Sequence, residues 1–481
     1  MLAIAVCGAV VFVPGGAASA TAHTDLIITS SDGAKLAATL VEPAAPGVYP
    51  AVLMLHGLGA TRAQVLPLAD QLAAAGYVVL APDARGHGDS GGLVDIDGPR
   101  TVQDVRELFD WLRARPEVDG AHVAGWGISY GGAALLRAAA DGVPFAALET
   151  LETWTDLYSA LVPQNLSKSG AVYSLLHSVA PERTSPDGLD IAPKAIQSID
   201  RPALRAFAAA RSSSGLLGRL TTPLYMFQGR RDFVFDVSQA TAALRSYKGP
   251  HRLYVGDFGH SPSKFPGPDI GEVMARGIGW FDQFLKPLHS QPRRHPVELA
   301  PDPWRGAVNG YEALPATKRA AFALRGTKTI GPSGVVIRST APTRALIETF
   351  GSGTVRFRAR LSGGWSRVVA VVVARRRGKD TIVAEGGINT AGVRGSRTLT
   401  IQLLDTATTI ARGSRLRLYV GASSQKPDPT NLLYLDLGLP AGARLTVGPA
   451  SLRLSVLRKT ISRYNSQADS SSQNEGRLAT H

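Results

Sequence analysis

Cysteine is almost missing from this chain: Cys7 is the only one in 481 residues. It lies in an apolar, uncharged run from Leu2 to Val13, followed by Ala18-Ser19-Ala20. An apolar run before an A-x-A site has the form of a secretory signal peptide, expected over residues 1–20, and a secreted or cell-envelope location follows. Without that leader the mature chain has no thiol, no disulfide and no cysteine metal site. His/Asp/Glu clusters at metal-ligand spacing are lacking too, so no metal and no cofactor are expected. No apolar run is long enough for an ordinary membrane helix, so no transmembrane anchor is expected once the leader is gone. Acidic residues are the minority, 38 against 52 Lys and Arg, for a net charge of +14. That excess is mostly arginine spread along the chain, and its densest cluster, Arg375-Arg376-Arg377-Gly378-Lys379, reads as a hairpin tip. No nucleic-acid module is visible and no nucleic-acid partner is expected.

What is present is enough apolar residue, 44%, for sizeable cores, in a chain long enough for two or three domains. Asp25–Thr29 and Lys35–Leu40 read as a hairpin around Ser31-Asp32-Gly33. From Pro50 the rhythm becomes strand, helix, strand. Ala51–Leu55 and Tyr77–Ala81 are apolar throughout, and Gln64–Ala75 and Val102–Arg113 carry helical spacing. Such alternation means a parallel sheet with helices on both sides, an α/β class. The rhythm breaks between the strand Phe145–Leu148 and the strand Thr222–Gly229. The helix-prone, proline-punctuated residues 153–220 are expected to form a cap over the sheet. The α/β domain is expected over 24–286, closing with a helix from Ile270 to Leu285. Residues 287–317 have a Pro-rich linker composition. Beyond them, alternating stretches such as Val355–Leu361 and Leu416–Val420 between Gly-rich turns predict a β-sandwich over 318–458. The polar tail 459–481 is expected to be disordered.

The chemistry is concentrated in Gly127-Ile128-Ser129-Tyr130-Gly131, which follows the strand-like Ala121–Trp126 and precedes the helix-like Gly132–Ala138. A serine between two glycines at a strand-to-helix turn is the nucleophile elbow of α/β-hydrolases. An acid and a histidine follow in the order that fold requires. Asp232 sits past the end of the strand Thr222–Gly229, and His260 past the strand His251–Gly256. A neutral hydroxyl is a poor nucleophile, so His260 is the candidate base, with Asp232 to fix its tautomer. Asp236, four residues on, is the rival acid. The oxyanion donors expected are the N–H of Tyr130 and, from the turn after Val52–Gly57, the N–H of Leu58. His56 and His87 lie in glycine turns and read as structural. Trp154, Tyr158, Tyr173 and Leu175 are candidate pocket residues in the cap.

Four segments resemble the Xaa-Pro dipeptidyl-peptidase-like hydrolases, the group that includes cocaine-esterase-type and glutaryl-acylase-type enzymes. They are Asp83–Gly92, similar to D-x-R-G-x-G-x-S-x-G; Asp104–Leu112 with the Gly125–Gly132 elbow; Gly229–Asp232; and Arg412–Leu418 with Ser423-Ser424 and Pro427-Asp428-Pro429. The resemblance implies an α/β-hydrolase fold with a carboxy-terminal jelly-roll sandwich. It departs in the loop His56–Thr61, which lacks the tyrosine that often serves the family's oxyanion hole. A dipeptidyl-peptidase also needs an acid for the substrate's free amine, for which Glu149 and Glu152 are the candidates. The expected activity is a secreted serine hydrolase acting on a small ester or amide, or on a short peptide. The alternatives are Xaa-Pro dipeptide release and an inert binding protein on a hydrolase scaffold. Oligomeric state is not legible.

Overall fold

The computed structural model describes residues 21–286 and 294–458. The expected leader, the first part of the expected linker and the polar tail lie outside the described residues.

Ten strands form one twisted sheet. The antiparallel pair β1 (Thr21–Thr29) and β2 (Lys35–Pro43) opens it. Then come β3 (Tyr49–Leu55), helix α1 (Leu66–Ala74), β4 (Val78–Pro82), α2 (Pro99–Arg113), β5 (Val118–Ile128), α3 (Tyr130–Ala140) and β6 (Leu148–Leu151). Four short helices follow: α4 (Leu157–Leu161), α5 (Ser169–Leu176), α6 (Pro186–Gln197) and α7 (Arg201–Ala209). The sheet resumes with β7 (Leu224–Gly229), α8 (Ser238–Ser246), β8 (His251–Gly256) and α9 (Ile270–Leu285). It ends with β9 (Val297–Leu299) and β10 (Asn309–Tyr311), in the spatial order β1-β2-β4-β3-β5-β6-β7-β8-β9-β10. Strands from β4 to β9 in that order run parallel.

The apolar runs form strands because both faces are buried. In β3, Ala51, Leu53 and Leu55 pack with α2 and α3, while Val52 and Met54 pack with α1 and α9 on the other side. Two expectations shift. The strand expected at Phe145–Leu148 lies at Leu148–Leu151, because Phe145 leaves the sheet to pack edge-on against Phe109, 4.9 Å between ring centres. Part of the expected linker is sheet: β9 and β10 fall within it. Pro296 and Pro301 flank β9 instead of interrupting it, so its ladder loses no donor, and Pro296 itself accepts from the Leu253 N–H.

The carboxy-terminal residues form two antiparallel sheets. One holds β11 (Thr317–Leu324), β12 (Lys328–Ile330), β14 (Ile347–Ser362), β17 (Gly395–Gln402), β18 (Thr409–Ile410) and β20 (Arg444–Leu457). The other holds β13 (Val336–Pro342), β15 (Arg367–Arg376), β16 (Lys379–Asn389) and β19 (Arg415–Gly421). They enclose a shared core that includes Val355 and Phe357 from one and Val368 and Val372 from the other. The arginine cluster is the β15–β16 tip, with Arg377 and Gly378 at positive φ. β15 is apolar on both faces. Val369, Val371 and Val373 point away from that core into a second cluster with Tyr130, Trp154, Phe235 and Leu166. The sandwich is thereby packed against the α/β domain, close to the elbow.

Candidate active site

Ser129 sits between β5 and α3 at φ 53° and ψ −114°, a conformation few non-glycine residues adopt. The turn is closed so tightly that its glycines have no substitute. A Cβ on Gly127 would meet the Gly131 carbonyl carbon at 2.5 Å, and one on Gly131 would meet the Leu55 oxygen at 2.5 Å. The strained serine is held on both sides: its N–H donates to Leu151 O (2.7 Å) and its carbonyl accepts from Thr153 Oγ1 (2.7 Å).

The two partners arrive from the ends of β7 and β8. Ser129 Oγ lies 3.1 Å from His260 Nε2, and His260 Nδ1 lies 2.7 Å from Asp232 Oδ2. The other Asp232 oxygen accepts from the N–H groups of Val234 and Phe235, both at 2.9 Å. Asp232 is therefore fully satisfied, and one oxygen is aimed at the imidazole. Asp236 is not in the relay. It accepts from Ser238 ahead of α8 and lies 3.9 Å from the buried Lys168 ammonium.

A further carboxyl stands behind the histidine. Glu152 is buried just after β6 at φ 49°, with Oε2 3.6 Å from His260 Nδ1 and Oε1 without a hydrogen-bond partner. Burial pushes its pKa up, the Asp232 and Asp269 charges add to that, and His260 opposes it. For His260, burial disfavours the imidazolium, but Asp232 and then Glu152 outweigh it, so the net direction is up. Among the described residues, Glu152, Asp232 and His260 are the one group close enough to share an ion. The 2.7 Å between Asp232 and His260 is a hydrogen-bond separation, which a metal would have to break.

Neither of the two expected amine-binding acids lines the cavity on which Ser129 opens. Glu152 belongs to the histidine side of the site. Glu149 points to the opposite face of the sheet, where its Oε2 occupies the space of a Gly277 side chain on α9. Glu149 faces away because strand side chains alternate, and Glu152 turns to the histidine because it follows the end of β6 at positive φ.

Ser129 opens onto a cavity of about 770 Å³, part of it open to solvent, between the sheet and helices α4 to α7. Leu58 and Tyr130, the expected oxyanion donors, line it, as do Trp154, Tyr158 and Leu175. Tyr130 is the first residue of α3, so its N–H has no intrahelical acceptor. Tyr173 does not line it; half exposed, it stacks on His177. Phe235 lines the cavity and meets His260 edge-on at 5.2 Å, and sequence reasoning missed it. Its place directly after the Phe233-Val234 pair, three residues past Asp232, was the available signal. His56 and His87 meet edge-on, 5.1 Å between ring centres, and His56 Nε2 accepts from the Ala84 N–H. Burial, then His87, lowers the His56 pKa to about 4, which fits a neutral structural role.

This geometry has relatives. The family model for X-Pro dipeptidyl-peptidases (S15 family) matches residues 32–262. The match takes in Ser129, Asp232 and His260. The chain is 34% identical over 143 residues to the quorum-quenching protein AidA of Acinetobacter baumannii, covering 28% of this chain and 45% of that protein. It is 31% identical over 145 residues to an uncharacterized protein of Mycobacterium tuberculosis, covering 30% and 50%. It thus spans about half the length of these curated relatives. Among solved structures, a CocE/NonD family hydrolase from Staphylococcus aureus superposes with a TM-score of 0.70 at 14% identity, over 91% of this chain and 94% of that one. An alpha-amino acid ester hydrolase superposes with a TM-score of 0.68 at 14% identity, over 94% and 99%. At such identity the likeness is one of fold, and it extends through the sandwich.

Proposed function

We propose that this chain is an exported serine hydrolase that cleaves an ester or amide bond through an acyl-enzyme. The observation that carries the reading is the unbroken relay from Ser129 Oγ through both nitrogens of His260 to Asp232. Ser129 Oγ attacks the carbonyl carbon while its proton passes to His260 Nε2. Asp232 holds Nδ1 protonated and stabilises the imidazolium. The N–H groups of Tyr130 and Leu58 are assigned to the oxyanion. Collapse of the adduct returns the proton to the leaving alcohol or amine. Water then repeats the cycle on the acyl-serine, again with His260 as base.

Release of Xaa-Pro dipeptides is the second reading, favoured by the matching family's description. The inert-scaffold reading gains nothing from a strained serine held at hydrogen-bond distance from a histidine. Export rests on the apolar Leu2–Val13 run and Ala18-Ser19-Ala20. The test is a fluorophosphonate probe with p-nitrophenyl acetate turnover. Wild type is expected to label at Ser129 and turn over, and Ser129→Ala to do neither. Labelling elsewhere, or none, sinks the reading.

A further inference from the structure

The cavity beside Ser129 is walled almost wholly by carbon. Its lining comes from Leu58 and Phe235 near the serine and from leucines, valines, isoleucines and alanines of the cap helices, with no charged side chain among them. The polar tips of its aromatic residues are already engaged on other groups. Tyr158 Oη donates to Asn165 (2.9 Å), Trp154 Nε1 to Arg211 O (2.9 Å), and Tyr130 Oη lies 3.0 Å from Thr101 Oγ1. The guanidiniums of Arg205 and Arg211 lie over the Tyr158 and Phe207 rings, 4.1 Å and 3.5 Å from their centres, and Arg211 is itself paired with Asp187 behind the wall. An ammonium entering it would lose its water and find no acceptor. An apolar chain would lose nothing polar and gain the burial of its surface.

We propose that the hydrolase is an esterase for uncharged, apolar acyl groups well longer than acetyl, with the acyl chain seated in this cavity and the alcohol leaving toward solvent. The proposal rests on the acyl-enzyme reading above. It sets this chain apart from enzymes that grip a free α-amine. One carboxyl nearby is Asp97. It is buried without a hydrogen-bond partner and follows the lining residue Ile96, but does not itself line the cavity.

The test is kcat/KM on p-nitrophenyl acetate, butyrate, hexanoate and octanoate, on the p-nitrophenyl ester of alanine, and on Ala-Pro-p-nitroanilide. Active sites are counted by the fluorophosphonate probe. The expected rise is about fourfold per methylene until the cavity is full. Hexanoate is then expected to exceed both acetate and the two aminoacyl substrates at least about tenfold. Ala192→Phe and Ala195→Phe each add a ring to the cavity from α6, and two variants guard against one misfolding. Either is expected to cut the octanoate-to-acetate ratio at least about tenfold. A flat or falling series in an enzyme that labels at Ser129 overturns the inference and leaves the acyl-enzyme reading standing. So does a preference for the aminoacyl substrates, and its loss in Asp97→Asn would then assign the amine to Asp97. No labelling and no turnover sinks both.

Discussion

Glu152→Gln tests whether the buried carboxyl behind His260 acts on catalysis. The acid limb of a kcat/KM profile reports the imidazole of the free enzyme, since only neutral His260 can accept the serine proton. A full charge on Glu152 at 3.6 Å from Nδ1 would favour the imidazolium by about 4.6 kcal/mol at an effective dielectric constant near 20, roughly 3 pH units. That is a ceiling. Burial favours the protonated carboxyl, so Glu152 ionises mainly when its proton moves to the histidine, and the two groups titrate as a pair. Gln keeps the size and removes the second proton site. The acid limb is therefore expected to move to lower pH by about 1 unit, and turnover near neutral pH to rise or hold. The assay is kcat/KM for hexanoate ester from pH 4 to 9, with thermal melting as the folding control. A limb that stays within about 0.3 unit, or moves up, refutes the coupling and leaves Glu152 a mere packing residue.

Ser129→Ala is expected to lower ester turnover by at least about 10⁴-fold with an unchanged melting temperature; a smaller loss would point to another nucleophile. Glu149 is buried alone, and desolvation by itself pushes its pKa well up, above the unfolded value near 4.5. The folded state then binds more protons than the unfolded state above that value. The Glu149 contribution is present in full below pH 4.5 and falls at about 1.4 kcal/mol per pH unit until the folded pKa is reached. Glu149→Gln is expected to flatten that decline in a melting series from pH 5 to 8; an unchanged slope refutes it. Arg230 is buried, bonded to Ala300 O and Ala407 O, and paired with the buried Glu348 of β14 at 2.5 Å. Arg230→Met strands that carboxylate and is expected to cost about 3–5 kcal/mol in denaturant unfolding, with much of it recovered in Arg230→Met/Glu348→Leu. A cost under about 1 kcal/mol would show the pair to be dispensable.

The sequence alone determined whatever is dictated locally. Gly127 and Gly131 are readable because no side chain fits the elbow, and the apolar β3 and β4 are readable because strands buried on both faces are near-continuous apolar runs. The order Ser129, Asp232, His260 was readable because the fold admits its catalytic groups only at certain strand ends. The tertiary structure decided the rest. Glu149 and Glu152 were legible as acids near the site, but the direction of Glu149 is set by the pleat of β6 and that of Glu152 by the positive-φ turn just past its end. β9 pairs because β8 offers an open edge, and β10 then pairs with β9, which a proline-rich composition does not reveal. The unbroken apolar run Val368–Ala374 of β15 announces two buried faces, yet only the docked sandwich shows that one of them reaches the cluster around Tyr130 and Trp154. Ser129 and His260 stand 131 positions apart and meet at 3.1 Å. Local pattern names such residues by the chemistry they can do, whereas the distances between them are set by long-range packing that no short stretch of sequence contains.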